Sequence, residues 1–549
     1  MKVYEAIAHG LFDMGCTELF GVLGDGCVYV IDSYRRDTTG HYTAAVHEGG
    51  AVLMAQGWAR VSGQVGVAAV THGPGLTNTV TALVEGVKAG TPMVLLAGAT
   101  PVIDREHAQN VNQPALVAAT GAGFEPLRGP GTVAEDLARA FYRAHCERRP
   151  IVFNMPVEFQ WQEVEYEKPH LRFPDARFVI PSSKDMDDAI GIIASARMPV
   201  VIGGRGIGTP EAEAAVLRFA QRIEAPVATS LRGKGLFADD PFHLGISGTV
   251  SHEVALDVIG RADCLIVFGA SLNKYTSGHR GLTRGKRIVQ VNPLASEIGR
   301  CVPVTVGLVG DPGLTADAMV KWLDEAEIPG SGGRTQDLRE QIETYRKTSR
   351  KTLTHPTPAG TVDLYETAFA LEQALPRDRV FLTGSGRFMF AFWQAISVPN
   401  PHSYVDGNGL SSIGIGVATA MGAARAAGDR PTLLVTGDGG FMLSGLSELA
   451  TAVAEQLDLI IVVANDSSYG AEHIALTAHN MDPNISLLQS RDFAKIAEAF
   501  GCKGLTVTSN AELKTAMDAI ATRDRKRPLV IDVKIDAASV YGGAPISRP

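Results

Sequence analysis

One stretch near the carboxyl end, residues 437–470, constrains the fold more than any other part of the chain. It begins after the apolar run PTLLVT and reaches a second apolar run, LDLIIVVA, which predicts a strand, a tight turn, a helix and a second strand. The first turn carries three glycines and Asp438, and the second strand ends at Asn465 and Asp466. Because neighbouring parallel strands end at one edge of a sheet, we expect these polar residues to meet there. Exposed N–H groups and carboxylates at such an edge predict a site for a metal-bridged diphosphate.

The whole motif resembles a known family. GDG, then ELATA, then an asparagine-containing strand end followed by YG is similar to the cofactor motif of thiamine-diphosphate-dependent enzymes of the acetolactate synthase, pyruvate decarboxylase and benzoylformate decarboxylase group. Two ordinary turns are the alternative, but the length and spacing of the motif favour the cofactor. The resemblance implies that thiamine diphosphate contacts Gly437, Asp438, Gly439, Gly440, Asp466, Ser468, Tyr469 and Gly470. It also implies a Mg²⁺ ion bound by Asp438, Asp466 and the Ser468 carbonyl.

Two positions depart from patterns within this family. The family usually has two asparagines at the strand end, and here the metal-ligand position falls on Asp466. A carboxylate binds Mg²⁺ at least as well as an amide, so we expect retained binding with one more negative charge. Glu472 falls six residues later, where pyruvate decarboxylases carry a catalytic glutamate and acetolactate synthases do not. A solvated helix residue is the alternative interpretation of Glu472.

Residues on the amino-terminal side of this motif complete the predicted diphosphate domain. After the strand RVFL, the resemblance places Thr383, Gly384 and Ser385 beside the diphosphate, although such residues also form ordinary turns. The segment LSSIGIGVATAMGAA is similar to the family segment that binds the aminopyrimidine. The matching apolar residue that would prop the cofactor into its V shape is Ile413, and the Ser411 carbonyl would accept a hydrogen bond from the 4'-amino group.

The first third of the chain alternates strands and helices and contains the main catalytic candidate. We predict a strand running into AAVHEGG, with Glu48 at its end and a helix from Ala51 to Arg60. By itself, Glu48 is an ordinary helix-start carboxylate. However, HEGGAVLMAQGWAR and THGPGLTNTVTALVEG are similar to the family's pyrimidine-binding domain, whose indispensable glutamate has this H-E context. The resemblance implies that Glu48 hydrogen-bonds pyrimidine N1' and drives the tautomeric shift that deprotonates the cofactor.

Four weaker candidates lie in the same third of the chain. Asp25 lies in a Gly-Asp-Gly turn where pyruvate decarboxylase-like members carry an acid, and an ordinary turn is equally compatible. His72, beside Gly-Pro-Gly, is either a polar wall of the pocket or a helix-entry residue. The segment EHAQNVNQPALV contains Gln109 and Gln113 where the family often has an active-site glutamine. We take Gln113 as the catalytic candidate, but the sequence does not fix which glutamine matches.

Length and pattern predict three doubly wound α/β domains with parallel sheets in 549 residues. We predict a pyrimidine-binding domain at 1–165, a central domain at 183–325 and a diphosphate-binding domain at 355–549, joined by linkers at 161–185 and 324–360. The central domain holds flavin in family synthases and oxidases and is empty or regulatory in decarboxylases, so FAD stays undecided. Its glycines do not complete G-x-G-x-x-G, because Thr209 occupies the third position, so a nicotinamide site is not expected.

Composition limits the partners. A net charge of -9 and a sequence pI near 5.9 argue against nucleic acid and anionic membranes as partners. No apolar run approaches the roughly 18 residues of a membrane span, and the first helix lacks a signal-peptide core. Six scattered cysteines without a C-x-x-C pair suggest neither a disulfide framework nor a zinc site. We therefore expect a cytoplasmic protein.

The resemblance extends over nearly the whole chain and implies a homodimer or homotetramer with active sites at the subunit interface. It implies decarboxylation of a 2-oxo acid or related ketone through a C2 ylid and an enamine, with or without C–C bond formation. Asp25 and Glu472 favour proton delivery, whereas HGPGLTN and GKG are closer to synthase-type carboligases. No adjacent histidine pair, typical of pyruvate decarboxylases, occurs. Diketone cleavage, a nucleotide-dependent oxidoreductase and a non-catalytic partner subunit remain alternatives.

Overall fold

The computed structural model describes residues 1–104, 106–169 and 179–539. Across these residues the chain builds three six-stranded sheets in sequence order, and the paired strands of each sheet are parallel. Helices cover the faces of the sheets, so the predicted α/β class with parallel sheets is confirmed. Part of the predicted first linker, 170–178, and the last ten residues of the predicted third domain, 540–549, lie outside the described residues.

The first sheet has the order β2-β1-β3-β4-β6-β5. Its strands are β1 (Glu18–Gly21), β2 (His41–Ala44), β3 (Gly66–Val70), β4 (Met93–Ala99), β5 (Gly123–Pro126) and β6 (Pro150–Pro156). Its helices are α1 (Val3–Asp13), α2 (Val28–Asp37), α3 (Glu48–Ser62), α4 (Pro74–Thr77), α5 (Val80–Ala89), α6 (Gln113–Thr120), α7 (Val133–Glu147) and α8 (Val157–Gln160). The predicted strand into Gly50 is wrong, because β2 ends at Ala44 and Glu48 is the first residue of α3.

The second sheet has the order β12-β11-β10-β7-β8-β9. Its strands are β7 (Pro199–Gly203), β8 (Val227–Thr229), β9 (His243–Ile246), β10 (Cys264–Phe268), β11 (Arg287–Asn292) and β12 (Val306–Val309). Its helices are α9 (Ser183–Ala194), α10 (Pro210–Arg222), α11 (Glu253–Arg261) and α12 (Pro312–Glu325). Helix α13 (Gln336–Leu353) follows and lies inside the predicted second linker.

The third sheet has the order β14-β13-β15-β16-β18-β17. Its strands are β13 (Val380–Thr383), β14 (Tyr404–Asp406), β15 (Thr432–Gly437), β16 (Leu459–Asn465), β17 (Lys503–Val507) and β18 (Leu529–Lys534). Its helices are α14 (Leu364–Ala374), α15 (Met389–Ala395), α16 (Gly416–Ala427), α17 (Asp438–Ser444), α18 (Leu449–Ala454), α19 (Gly470–Ala478), α20 (Phe493–Ala499) and α21 (Asn510–Ala521). No helix in the described parts of the chain has the length and apolarity that crossing a membrane requires.

Helices α3 and α16 join the first and third units of the chain. They approach each other at two glycines. A Cβ on Gly57 would lie 1.9 Å from the Thr419 carbonyl oxygen, and one on Gly422 would lie 1.8 Å from that of Met54. Buried side chains of both helices belong to one apolar cluster. This contact fixes the amino-terminal unit against the carboxyl-terminal unit within one chain.

Candidate cofactor site

The carboxyl ends of β15 and β16 bring two aspartates to one edge of the third sheet. Gly437 pairs with Ala464, so Asp438 and Asp466 follow directly after neighbouring strand ends. Burial, and next to it the Asp466 carboxylate, raise the pKa of Asp438 to about 7 against the opposing effect of the N–H groups of Gly439, Ser467 and Ser468. The structure therefore places these two carboxyl groups close enough to repel each other when both are ionised.

Asp466 is held by contacts on both of its oxygens. The Ser468 N–H (2.9 Å) and hydroxyl (2.8 Å) donate to Oδ1. Arg387 donates to Oδ2 through Nε (3.0 Å) and Nη2 (2.5 Å). The Arg387 guanidinium therefore offsets the additional negative charge that Asp466 brings to this position. The sequence pattern did not single out Arg387.

The candidate aminopyrimidine segment lies against the glycine turn. A Cβ on Gly440 would lie 3.6 Å from the Cβ of Ile413, so the apolar side chain stands directly beside this turn. Ser411 adopts a left-handed φ of 60°, and its carbonyl accepts from the Ser385 hydroxyl at 3.5 Å. Residues from three separate parts of the third unit thus form one wall.

Glu85 of the amino-terminal unit anchors this segment. Its carboxylate is buried and accepts from the N–H groups of Gly409 (2.9 Å) and Leu410 (2.6 Å). Burial raises the pKa of Glu85, and these two N–H groups oppose that rise. The contact joins the segment around Ser411 to α5, and no motif indicates it because the partners are 324 residues apart.

A cavity of about 1640 Å³ opens beside these residues. The predicted residues that line it are Ser385, Ser411, Ile413, Gly437, Asp438, Gly439, Gly440, Asp466, Ser468, Tyr469, Gly470 and Glu472. Glu472 lies exposed on α19, a helix without buried residues.

Two of the predicted diphosphate contacts do not line the cavity. The hydroxyl of Thr383 accepts from Trp393 Nε1 at 3.0 Å and is buried. Gly384 packs towards Thr436, whose Oγ1 would lie 3.2 Å from an added Cβ. These residues support the loop that carries Ser385, and their place beside the diphosphate stays a prediction.

Glu48 is the first residue of α3 and does not line this cavity. Its side chain is half-buried, and Asn78 Nδ2 donates to its Oε2 at 2.9 Å. The preceding residue, His47, caps the helix by accepting from the Gly49 N–H. Glu448, from the ELATA segment, is buried and accepts from the N–H groups of Val46 (3.2 Å) and His47 (3.1 Å). The carboxyl-terminal unit therefore fixes the turn that presents Glu48.

Asp25 and His72 lie together at the carboxyl end of the first sheet. The Thr71 hydroxyl donates to Asp25 Oδ1 at 2.9 Å, and His72 Nε2 lies 3.7 Å from the same oxygen. Burial lowers the pKa of His72, and the Asp25 carboxylate opposes this effect. The ring centroid of His107 is 5.0 Å from that of His72. Folding thus creates a histidine pair from residues that are distant in sequence.

Gln113 is buried, and both ends of its amide are used. The Gly73 N–H donates to its Oε1 (3.1 Å), while its Nε2 donates to the Gly98 carbonyl (2.9 Å) and to Asn154 Oδ1 (2.6 Å). Its amide therefore holds the turn after His72, and its contact with substrate stays a prediction. Gln109 lies against the same turn, since an added Cβ on Gly73 would be 2.2 Å from its carbonyl oxygen.

The two groups of candidates are separate within one chain. Among the described residues that line the cavity, none of Asp25, Glu48, His72 and Gln113 occurs. Within a single chain, the amino-terminal candidates and the carboxyl-terminal candidates therefore do not line one common cavity.

The donors at the sheet edge fit Mg²⁺. No cluster of three or more His, Cys, Asp or Glu side chains that could hold a metal occurs in the described ranges. The Asp438 and Asp466 carboxylates would therefore need a backbone oxygen and water to complete the ligand set, and Mg²⁺ accepts such oxygen ligands and keeps several waters. Gly440 packs closely against the segment around Ile413, because a Cβ there would lie 3.3 Å from the Gly414 nitrogen.

Another part of the cavity wall is strongly cationic. Burial and the nearby Arg232 lower the pKa of Arg60 to about 10. Arg205 is likewise depressed in pKa by burial and by Arg60, and its Nη1 makes no hydrogen bond to any described residue. Arg232 pairs with Asp406 at 3.1 Å. Three arginines against one paired carboxylate favour an anionic group in this region.

Three family models match successive parts of the chain. Residues 1–119 match the model described as "Thiamine pyrophosphate enzyme, N-terminal TPP binding domain", 186–319 match the central domain, and 384–533 match the C-terminal TPP binding domain. The chain belongs to the thiamine pyrophosphate enzyme family, as the sequence motifs predict. It is accordingly a thiamine-diphosphate-dependent enzyme.

Curated relatives match along almost their whole lengths. The chain is 26% identical to the acetolactate synthase large subunit of Corynebacterium glutamicum, over 96% of this chain and 86% of the relative. It is 27% identical to sulfoacetaldehyde acetyltransferase of Castellaniella defragrans, over 96% and 92%. It is also 27% identical to a probable acetolactate synthase large subunit of Methanocaldococcus jannaschii, over 99% and 94%. The nucleotide-dependent oxidoreductase hypothesis gains no support from these matches.

Proposed function

We propose that the enzyme removes CO₂ from a 2-oxo acid. The remaining fragment is then either protonated or joined to a second carbonyl compound. The observation that carries this proposal is the single wall on which Asp438, Asp466, the Ser468 backbone and Ile413 stand together. The similarity to an acetolactate synthase and to a sulfoacetaldehyde acetyltransferase favours transfer to a second acceptor. Release of CO₂ with a protonated product is the second candidate, because Glu472 lies on the cavity wall.

The residues divide the work of holding the cofactor. When bound, thiamine diphosphate supplies a carbanion and an electron sink at its thiazolium ring. Asp438, Asp466 and the Ser468 carbonyl would bind Mg²⁺, and the glycine turn would contact the diphosphate. Ile413 would support the cofactor, while the Ser411 carbonyl would accept from its 4'-amino group. Glu48 would donate to the pyrimidine nitrogen.

We also propose that a complete site needs two chains. The candidates at the cavity and those around Glu48 do not line one common cavity, so a two-fold arrangement would join each group to its counterpart in the partner. Asn78 would then orient the Glu48 carboxyl towards the partner's cavity. A homodimer is the smallest assembly that meets this requirement, and a homotetramer would contain two such pairs.

Substrate and outcome are tested by supplying a series of 2-oxo acids with thiamine diphosphate and Mg²⁺. Released CO₂ with an aldehyde product supports the decarboxylase alternative, and a condensed product supports carboligation. Glu48→Gln should abolish turnover while calorimetry still detects bound cofactor. Full activity of this variant would contradict the role of Glu48, and absence of turnover with every 2-oxo acid would contradict the substrate class.

A variant of Glu472 discriminates between the two outcomes. If the enzyme delivers a proton to the cleaved fragment, Glu472→Gln should lower CO₂-linked aldehyde release more than it lowers condensation. The matched control is Glu498→Gln, on the exposed surface of α20. Equal loss in both reactions would argue against proton delivery by Glu472.

Whether the cationic part of the cavity binds FAD can be tested directly. We propose that it takes an anionic cofactor or effector, with FAD as one candidate. If the purified protein carries FAD, denaturation should release a compound with the absorbance spectrum of a flavin. Protein without this spectrum that binds no added FAD would exclude FAD as the occupant.

A further inference from the structure

We propose that Arg387 and Asp466 act as one charge-balanced unit, in which Arg387 is a positioning residue for the carboxylate beside the metal and the diphosphate. This inference rests on the proposed role of Asp466 as a Mg²⁺ ligand. It adds a residue that neither the motif nor the family models assign, and it explains how a carboxylate is accommodated where an uncharged amide was expected.

The pair is almost completely buried. The exposed fractions of the two side chains are 9% for Arg387 and 6% for Asp466. Two guanidinium nitrogens converge on one oxygen, Asp466 Oδ2. Arg387 also donates from Nη2 to the Asp536 carbonyl at 2.9 Å and from Nη1 to the Ser539 carbonyl. The guanidinium is therefore fixed by the backbone that follows β18, and it fixes the plane of the carboxylate in turn.

Gly470 gives an independent indication that the local backbone is fitted to this pair. A Cβ at this position would lie 2.4 Å from Arg387 Nε and 2.4 Å from Asp466 Oδ2. Both distances are far shorter than a van der Waals contact, so a side chain at residue 470 would separate the two charged groups. The glycine of the YG motif therefore leaves space for the ion pair.

The charges explain why the pair matters for binding. Asp438, Asp466 and Arg387 together carry one net negative charge when all are ionised, as one aspartate and one asparagine would. Loss of Arg387 alone would leave a second carboxylate charge facing the anionic diphosphate. Loss of the Asp466 charge alone would leave a buried guanidinium facing the cation, and buried charges without partners are strongly unfavourable. Loss of both would restore the balance.

Calorimetric binding of thiamine diphosphate and Mg²⁺ tests this inference. At saturating Mg²⁺, Arg387→Gln should bind thiamine diphosphate about tenfold or more weakly. At fixed thiamine diphosphate, Asp466→Asn should need about tenfold or more Mg²⁺ for half-saturation. The double variant should return both quantities to within about threefold of the unmodified enzyme, because the unbalanced charge is gone.

The matched control is Arg523→Gln. Arg523 and Asp458 form another nearly buried pair in the same unit, with 13% and 12% of their side chains exposed, and neither lines the cavity. This variant should bind thiamine diphosphate and Mg²⁺ as the unmodified enzyme does, even if its thermal stability falls. A binding loss equal to that of Arg387→Gln would show a general stability effect and overturn the inference.

The double variant, Arg387→Gln with Asp466→Asn, tests whether the two residues act as one charge-balanced unit. Additive losses, or unchanged binding in Arg387→Gln, would overturn the charge-balanced unit. If Arg387→Gln does not fold, the comparison of the double variant with Asp466→Asn remains, and weaker Mg²⁺ binding by the double variant would overturn it. Failure of the proposed site is distinguishable, since the unmodified enzyme would then bind thiamine diphosphate without any response to Mg²⁺.

Discussion

Asp438→Asn should stabilise the metal-free protein while it abolishes metal-dependent cofactor binding. Burial raises the pKa of Asp438 from 3.8 to about 7, so ionising this carboxyl opposes folding. A shift of about three units at roughly 1.4 kcal/mol per unit corresponds to about 4 kcal/mol. The carboxyl's contribution to stability is fully present below its unfolded pKa and is lost as pH rises through about 7. An amide does not titrate and avoids this loss.

The assay is urea unfolding of the metal-free protein at pH 4 and at pH 8. The free energy of unfolding is measured for the transition in which the third sheet unfolds. The difference in unfolding free energy between Asp438→Asn and the unmodified protein should increase with pH, towards about 4 kcal/mol at pH 8 as an upper limit. Asp518→Asn, an exposed residue of α21, makes the same charge change and should stay within about 0.5 kcal/mol. A difference that is independent of pH would refute the argument.

Two further changes test the contacts between the units. Gly422→Ala should destabilise the fold by about 1–3 kcal/mol in urea unfolding, because its Cβ would clash with the Met54 carbonyl. Gly191→Ala, in α9 with open space around it, should instead be neutral or stabilising, and an equal loss in both would contradict the close helix contact. Glu85→Gln should weaken thiamine diphosphate binding several-fold in calorimetry, since an amide has only one oxygen to accept the N–H groups of Gly409 and Leu410. Unchanged affinity would show that Glu85 does not position this segment.

The sequence predicts those parts of the site that depend on local pattern. Asp438 and Asp466 could be placed together because each directly follows a strand and the two strands are neighbours in a parallel sheet. Contacts between distant segments gave no such signal. The Arg387–Asp466 pair spans 79 residues, and the Glu448 contact with the turn before Glu48 spans more than 400. No periodicity or motif reports on such pairings.

One wrong prediction has a local physical origin. The strand pattern predicts Glu48 at a strand end, but the strand stops four residues earlier and His47 caps a helix there. Two other side chains make contacts that no local pattern indicates. Trp393 on α15 donates to the Thr383 hydroxyl, and the Gln113 amide is bonded to Gly73, Gly98 and Asn154.

The most direct test of the central claim mixes two inactive variants, Glu48→Gln and Asp438→Asn. If each site joins Glu48 of one chain to Asp438 of its partner, a mixed dimer contains one intact site. Random exchange of equal amounts should then recover about a quarter of the activity of the unmodified enzyme. If both groups acted within one chain, no mixed dimer would hold an intact site. Activity that stays at the level of the separate variants, after exchange has been verified, would contradict the account.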